Sequence, residues 1–278
     1  MARANFLFYN GKIVCSDKLF ISPNNRSFRY GDGFFETIKW ANGTILLEEL
    51  HMERLFHSLA TLLYIPPTFF TPDYIVNAIN NLIQKNQHHL LARVRITIFR
   101  GDGGIYDQQN HFPNLIIQTW DLNPSNNQLN ENGLDIDVFK LAVKSADHYS
   151  SLKTNNYLPY AMGALWAKAQ HLNDAILLNA DGNIADATIA NVFIVSNGHI
   201  KTPALTEGPV AGVMRRFLVK QLKANNYEVE EGVVSVNELQ NANEIWLTNA
   251  IYGIRWVKQL GINNYTNALA KRIFHQFL

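Results

Sequence analysis

The chain has 278 residues, of which 47% are hydrophobic and 17% charged, and its Lys and Arg together exceed its Asp and Glu by one. That length suits one large or two modest domains with a substantial core, and the composition excludes a disordered chain. The near-neutral charge balance argues against nucleic acid or an anionic membrane as the main partner, because such binding depends on clustered positive charge.

The only cysteine, Cys15, cannot form a disulfide within the chain, so the fold does not depend on an oxidising compartment. It also excludes a metal site built from cysteines alone, and we predict no metal site. The apolar run before Asn10 is too short for the core of a signal peptide, and no run is long enough to span a membrane. We therefore expect a cytoplasmic protein without a membrane partner.

The first 120 residues combine hairpin and helix signals. Asn10-Gly11 and Asn42-Gly43 each lie between short strand patterns, and this residue pair tolerates the positive φ angles of a tight hairpin turn. Apolar residues at helical spacing predict a helix from Glu48 to about Leu63. Thr71-Pro72 predicts the start of another helix, which should end near Gln87. Further strands are predicted at 93–100 and 115–120.

The segment 121–133 is rich in asparagine and almost free of large apolar residues. We interpret it as a linker between an N-terminal domain at 1–120 and a C-terminal domain at 134–278. In the second domain, Ser235 and Glu238 have the spacing of a capping box. The other predicted elements there are strands at 134–143, 175–179, 184–187, 191–195 and 244–248, and helices at 159–171, 212–224 and 267–277. Hairpins outnumber regular strand–helix units, which favours an α+β fold.

Four segments, each weak alone, form an ordered set: Tyr30–Thr37 (YGDGFFET), His51–Ser58 (HMERL and a later Ser), Lys153–Leu158 (KTNNYL) and Asp181–Phe193 (DGNIAD and a later NVF). In this order and spacing they resemble the class IV aminotransferases, the fold-type IV enzymes that use pyridoxal 5′-phosphate (PLP). The resemblance implies a smaller N-terminal α/β sandwich domain and a larger barrel-like C-terminal domain that carries the Schiff-base lysine. It also implies a small amino substrate and a homodimer, with the site at the seam between the domains.

The resemblance assigns cofactor roles residue by residue. Lys153 stands where the family binds PLP covalently, which requires an amine that can lose its charge, as a partly desolvated lysine near other cations can. Arg54 resembles the phosphate-binding arginine, whose fork of donors suits that anion. Val213 and Met214, at a helix start, would offer backbone N–H groups to the same phosphate. The remaining implied cofactor contacts are Tyr157, Asn249, Ala250 and Asp186.

Asp186 departs from the family, which usually has Glu at this position, paired with the pyridine nitrogen of the cofactor. A carboxylate there keeps the nitrogen protonated, so that the ring can accept electrons. Asp is shorter by one methylene, about 1.5 Å. Three explanations stay open: the strand lies closer, a water bridges the gap, or Asp186 only closes a hairpin and is not the partner.

The resemblance places Tyr30, Glu36, Arg95, Arg100 and Arg255 on the substrate side. Within the family, the segments starting at Arg100 (RGDGG) and Ala211 (AGVMRRF) and the pair Asn249-Ala250 are most similar to aminodeoxychorismate lyases, which make 4-aminobenzoate for folate synthesis. Ile105 departs from some lyases, which have arginine there. A branched-chain or D-amino acid aminotransferase is the alternative, and a PLP-binding protein without turnover is a third reading.

Overall fold

The computed structural model describes residues 5–106 and 111–278. The chain divides into two compact units, Met1–Pro124 with Lys153–Asn156, and Ser125–Leu152 with Tyr157–Leu278. The first boundary falls inside the stretch expected to be a linker. The short segment Lys153–Asn156, which the sequence-based division puts in the second domain, groups with the first unit because its backbone pairs with a strand there.

The first unit is built on one antiparallel sheet. Its strands are β1 (Phe6–Tyr9), β2 (Lys12–Cys15), β3 (Gly33–Ala41), β4 (Thr44–Ile45), β5 (Leu91–Phe99) and β6 (Asn114–Asp121). Within the described residues their order is β2-β1-β6-β5-β3-β4. Both predicted hairpin turns are present, and Asn10 and Gly11 take φ angles of 44° and 90°. Glycine suits the second turn position because it has no Cβ to strain at positive φ.

In its described residues this unit has three α-helices: α1 (Arg26–Tyr30), α2 (Glu48–Thr61) and α3 (Pro72–Lys85). The predicted start of α3 is confirmed, since Thr71 Oγ1 accepts a hydrogen bond from Tyr74 N–H at 3.2 Å. α1 was not predicted because five residues are too few to show helical periodicity. α2 and α3 cover one face of the sheet and form the core with it.

Successive side chains of β3 point to opposite faces of the sheet, and only one set packs into the core. Phe34, Ile38 and Trp40 join the apolar core. Since successive side chains of a strand point to opposite faces, Phe35 and Lys39 lie on the other face of the sheet. The first unit therefore has one packed face and one that carries polar and aromatic side chains.

The second unit contains a mixed sheet. Its strands are β7 (Leu134–Lys144), β8 (Asp174–Asn179), β9 (Ile184–Ala187), β10 (Asn191–Ser196), β11 (His199–Pro203), β12 (Val229–Gly232), β13 (Glu244–Asn249), β14 (Gly253–Leu260) and β15 (Asn263–Asn264). Among the described residues the order is β12-β11-β10-β13-β14-β7-β8-β9, with β15 beside β14. The helices are α4 (Leu158–Ala169), α5 (Val213–Ala224), α6 (Val236–Asn241) and α7 (Ala268–Phe277). The predicted capping box at Ser235 and Glu238 is confirmed.

These elements confirm the predicted α+β fold. Over the part of the chain that the structure describes, no helix has the length and apolarity needed to cross a membrane. The same residues contain no group of three or more His, Cys, Asp or Glu arranged to hold a metal ion.

Candidate active site

Lys153 is held by backbone pairing with the start of β3. Phe35 N–H donates to the carbonyl of Lys153 at 2.9 Å, and Asn155 N–H donates to the carbonyl of Gly33 at 2.8 Å. These two bonds fix the chain from Lys153 to Asn155, on either side of Thr154. The half-buried side chain places Nζ 4.7 Å from the centroid of the Phe35 ring. The structure thus places the Lys153 amine against the Phe35 ring, on the face of the sheet opposite the apolar core.

A second cation lies against the same ring. The guanidinium carbon of Arg95 is 3.8 Å from the Phe35 centroid, so Arg95 and Lys153 share one aromatic neighbour. A nearby cation is one of the devices by which proteins activate a lysine as a nucleophile. The structure therefore brings together two of the side chains that the sequence singled out.

Two further cations on this face, Lys39 and Arg93, were not among the predicted site residues. The β3–β5 register pairs Thr37 with Arg95 and Lys39 with Arg93. Strand alternation puts the side chains of Lys39, Arg93 and Arg95 on the face that carries Phe35. Counting in twos from Phe35 and Arg95 along their strands would have found both residues.

Arg54 is clamped by a carboxylate. Its Nε donates to Glu36 Oε1 at 2.7 Å and its Nη2 donates to Glu36 Oε2 at 2.6 Å. His51, one turn earlier on α2, places Nδ1 2.8 Å from Glu36 Oε2. Since a carboxylate only accepts, Nδ1 carries the proton of a neutral His51. Two fork-to-fork bonds fix both the position and the plane of the guanidinium.

Burial and charge act in opposite directions on this cluster. Burial by itself would raise the pKa of Glu36, but Arg54 and His51 lower it to about 2. Burial lowers the pKa of His51, and the nearby cations Arg54 and Lys153 add to that effect while Glu36 opposes it. The cluster is therefore an ionised Glu36 between a charged Arg54 and a neutral His51 at neutral pH.

This geometry corrects the role expected for Glu36. The side chain is only 1% exposed, and both its oxygens accept hydrogen bonds from α2. A carboxylate buried in this way holds Arg54 and does not face a substrate. Glu36 is therefore a positioning residue for the predicted phosphate-binding arginine.

Replacing Glu36 with glutamine should weaken the binding of the PLP phosphate group by Arg54. The amide cannot accept both bonds from Arg54, so the guanidinium loses its fixed plane. We expect the affinity for PLP to fall about tenfold, which corresponds to about 1.4 kcal/mol, while the affinity for pyridoxal, which has no phosphate, stays within twofold. Absorbance titration of the PLP-free protein measures both. Glu53→Gln, on the exposed side of the same helix, is the control, and an equal loss for both ligands would contradict the assignment.

In the second unit, Asp186 is surrounded by donors. Its Oδ2 accepts hydrogen bonds from Tyr160 Oη at 2.9 Å and from Val210 N–H at 2.8 Å. Its Oδ1 accepts one from Asn191 Nδ2 at 2.8 Å. Hydrogen bonds donated to a carboxylate favour its ionised form. Asp186 is 2% exposed, and its three donors hold the carboxylate in one orientation.

A buried ammonium braces the loop that supplies one of these donors. Lys144 Nζ donates to the carbonyl of Ser150 at 2.7 Å and to that of Gly208. The segment that begins at Gly208 continues to Val210, whose N–H holds Asp186. Burial lowers the pKa of Lys144, and the carboxylate of Asp186 opposes that shift. Lys144 could not be found from the sequence because one of its two partners, Gly208, lies 64 residues away in another loop.

Two other predicted cofactor contacts lie at the ends of elements, Tyr157 at the N-cap of α4 and Asn249 at the end of β13. Tyr157 Oη donates to the carbonyl of Thr188 at 3.1 Å, and its ring stacks on Tyr160 with centroids 4.2 Å apart. Asn249 Oδ1 accepts from the N–H groups of Ile251 at 2.9 Å and Tyr252 at 3.2 Å. The Asn249 side chain thus shapes the turn that carries Ala250.

Helix α5 starts as the sequence predicted, with Gly212 as its N-cap and no side-chain cap. The first-turn N–H groups of a helix have no partner within it, so those of Val213 and Met214 can bind an anion. Gly212 is required by close packing, because a Cβ there would lie 1.8 Å from Asn191 Oδ1.

The remaining substrate-side predictions differ in outcome. Arg100 is 8% exposed, donates to Asp32 Oδ1 at 2.6 Å and to the carbonyls of Leu62 and Leu63, and lies over the Tyr64 ring. Those contacts commit its guanidinium to joining loops, which corrects the substrate role expected for it. Tyr30 is 46% exposed at the end of α1. Arg255 lies 4.9 Å from the Tyr252 ring, and burial lowers its pKa.

Comparisons with known proteins agree with this geometry. The sequence model of the family described as amino-transferase class IV matches residues 33–260. The chain belongs to the class IV aminotransferase family. It is 30% identical to an aminodeoxychorismate lyase of Bacillus subtilis (strain 168) over 255 residues, covering 89% of this chain and 84% of the relative.

One more sequence relative and one solved structure are also similar to the chain. An aminodeoxychorismate lyase of Vibrio harveyi is 29% identical over 233 residues, 83% of each chain. The fold is similar to a crystal structure of the Escherichia coli branched-chain amino acid aminotransferase, with a TM-score of 0.87 and 25% identity over 99% of this chain and 95% of that one. These class IV matches indicate a PLP-dependent enzyme.

The residues of this class IV chain fit PLP. The first unit offers the fixed Arg54 fork for a phosphate and the Lys153 amine for a covalent link. The second unit offers uncapped helix N–H groups and a carboxylate held by three donors. Anion donors, an amine and an ionised carboxylate are the groups that the phosphate, aldehyde and pyridine nitrogen of PLP require.

Proposed function

We propose that this class IV enzyme is an aminodeoxychorismate lyase, which converts 4-amino-4-deoxychorismate to 4-aminobenzoate and pyruvate, a step of folate synthesis. The observation that carries the proposal is the cationic face of the first sheet, where Arg95 shares the Phe35 ring with Lys153, and Lys39 and Arg93 lie further along the same face. Charge-assisted hydrogen bonds from such a face suit a substrate with two carboxylates. A branched aliphatic side chain would instead be recognised by an apolar lining.

The sequence similarity supports the same choice. The relatives at 29% and 30% identity are both aminodeoxychorismate lyases, and each alignment covers more than four fifths of this chain. The competing candidate is a branched-chain aminotransferase, favoured by the Escherichia coli enzyme, to which the chain is 24% identical. Arg95 fits that candidate as well, whereas Lys39 and Arg93 favour the dicarboxylate.

Each residue has a part in the proposed reaction. PLP, when bound, supplies an electron sink for the carbon that bears the substrate amine. Lys153 Nζ removes the proton from that carbon as general base. The Asp186 carboxylate would be the partner of a protonated pyridine nitrogen. Arg54, fixed by Glu36, binds the phosphate, and Arg95 orients a substrate carboxylate.

The test is a direct comparison of the two activities. The PLP-loaded protein receives freshly made 4-amino-4-deoxychorismate, and 4-aminobenzoate is followed by its fluorescence. In parallel, L- and D-amino acids are assayed for 2-oxo acid formation. We expect release of 4-aminobenzoate with at most slow oxo acid formation. Rapid oxo acid formation without 4-aminobenzoate would contradict the proposal and make the enzyme an aminotransferase, and absence of both products would favour a PLP-binding protein without turnover.

The cationic face gives that test a matched variant. Arg93→Gln should raise KM for aminodeoxychorismate about tenfold with a small change in kcat, because it weakens one charge-assisted bond to the substrate, worth about 1.4 kcal/mol. Steady-state kinetics measures both constants. Arg216→Gln, on an exposed part of α5, is the control. An unchanged KM in Arg93→Gln would show that the cationic face does not bind the substrate.

A further inference from the structure

The hydroxyl group of Thr248 has no explanation within the fold. Thr248 lies in β13, directly before Asn249, and is 1% exposed. Its Oγ1 has no hydrogen-bond partner among the described residues. Burying a hydroxyl without a partner is unfavourable, whereas the valine of similar shape carries no such penalty. A buried polar group without a partner in the chain is satisfied when a ligand, an ion or a water supplies the partner.

The strand register shows where this hydroxyl lies. Thr248 is directly opposite Asn191 of β10. Their neighbours Val192 and Leu247 belong to the apolar core of the sheet. By alternation, the side chains of Thr248 and Asn191 point to the other face.

That face carries the start of α5. The Asn191 side chain touches the Cα side of Gly212, as the 1.8 Å distance from Oδ1 to an added Cβ shows. Gly212 is the N-cap of α5, and α5 packs on β13. Thr248, as the cross-strand neighbour of Asn191, is therefore buried beside the first turn of α5.

Two independent features meet at this point. Helix α5 has 12 residues and begins without a side-chain cap, so its first N–H groups present partial positive charge. The buried hydroxyl of Thr248 adds a donor that nothing in the described chain uses. Both features favour an anion, and a phosphate oxygen accepts from N–H and O–H donors alike.

We propose that Thr248 Oγ1 donates a hydrogen bond to the phosphate group of the cofactor at the N-terminus of α5. Thr248 is thus a further binding residue for PLP, acting through the phosphate and not through the ring. The inference rests on the proposed function only for its cofactor, and it holds for a lyase and for an aminotransferase alike.

The variant Thr248→Val separates a binding role from a structural one, because the two predict opposite signs. In the PLP-free protein, removing an unpartnered buried hydroxyl should raise Tm by about 2 °C. In the binding assay, losing a bond to a charged phosphate should raise Kd for PLP about tenfold. Kd for pyridoxal should stay within twofold. Absorbance titration and thermal unfolding provide these readouts without any substrate.

Two variants serve as matched controls. Thr248→Ser keeps the hydroxyl and should keep the PLP affinity within twofold. Thr202→Val removes a buried hydroxyl that does have a partner, since Thr202 Oγ1 donates to the carbonyl of Val192 at 2.7 Å. It should lower Tm and leave the ratio of the PLP and pyridoxal affinities unchanged.

The outcomes that overturn the inference are distinct from those that overturn the proposed function. A lower Tm for PLP-free Thr248→Val would reveal a structural partner of the hydroxyl. An unchanged Kd for PLP, or an equal loss for pyridoxal, would show that the phosphate does not use it. A protein that releases no 4-aminobenzoate but shows the phosphate-specific loss keeps the inference and loses only the lyase assignment.

Discussion

Lys153→Ala should abolish the covalent attachment of PLP and, with it, the visible absorption band of the attached cofactor. Turnover should fall about 10⁴-fold, because the variant loses both the nucleophilic amine and the general base. The backbone around residue 153 is held by the carbonyl of Lys153 and the N–H of Asn155, neither of which the substitution removes. We therefore expect a folded protein that still binds PLP through its phosphate.

The measurement is reduction of the PLP-loaded protein with borohydride, followed by mass spectrometry of the labelled peptide. The wild-type label should lie on Lys153, and Lys153→Ala should carry none. Lys168→Ala, on an exposed part of α4, is the control that retains the label. A label on Lys144 would contradict the assignment, and we expect none there because two carbonyls already engage that ammonium.

Asp186→Ala should keep PLP but lose most of the activity. Removing the carboxylate leaves the phosphate and amine contacts intact, so Kd for PLP should change less than threefold. kcat should fall about 10²-fold, because the partner of the pyridine nitrogen is a preorganised charge whose loss affects the transition state. Steady-state kinetics together with the pH dependence of the cofactor absorbance measures the two effects.

Two variants serve as comparisons for Asp186→Ala. Asp186→Asn keeps the shape but not the charge, and should lose kcat to a similar extent. Asp181→Ala, in an exposed turn of the same hairpin, should behave as wild type. An unchanged rate for Asp186→Ala would remove its assigned role and leave the three donors around it as purely structural contacts.

Local signals predicted much of the fold. The Asn-Gly turns, the Thr71 cap and the Ser235 capping box are set by residues a few positions apart, and the structure confirms them. Strands β11, β12 and β14 were not predicted. β12, for example, pairs in parallel with β11 across an intervening helix, so its strand character comes from a distant partner and not from its own sequence.

The candidate site also combines features that local motifs predict with features that they do not. Short motifs singled out Lys153, Arg54 and the start of α5 as candidates. The burial of Glu36, the brace formed by Lys144 and the unpartnered hydroxyl of Thr248 depend on contacts between residues far apart in the chain, which no local pattern encodes. The cytoplasmic location and the homodimer stay predictions.

The pairing of the Lys153 segment with β3 also affects when the first sheet can be completed during synthesis. β4 pairs with β3 only at Trp40 and Ala41, while the stretch Gly33–Phe35 of that edge is paired by Lys153–Asn155. An unpaired strand edge is a template for aggregation. A nascent chain that has reached only Pro124 contains every strand of the first sheet but leaves this edge open. This edge of the N-terminal sheet is therefore paired only after the segment that contains the predicted Schiff-base lysine has been synthesised.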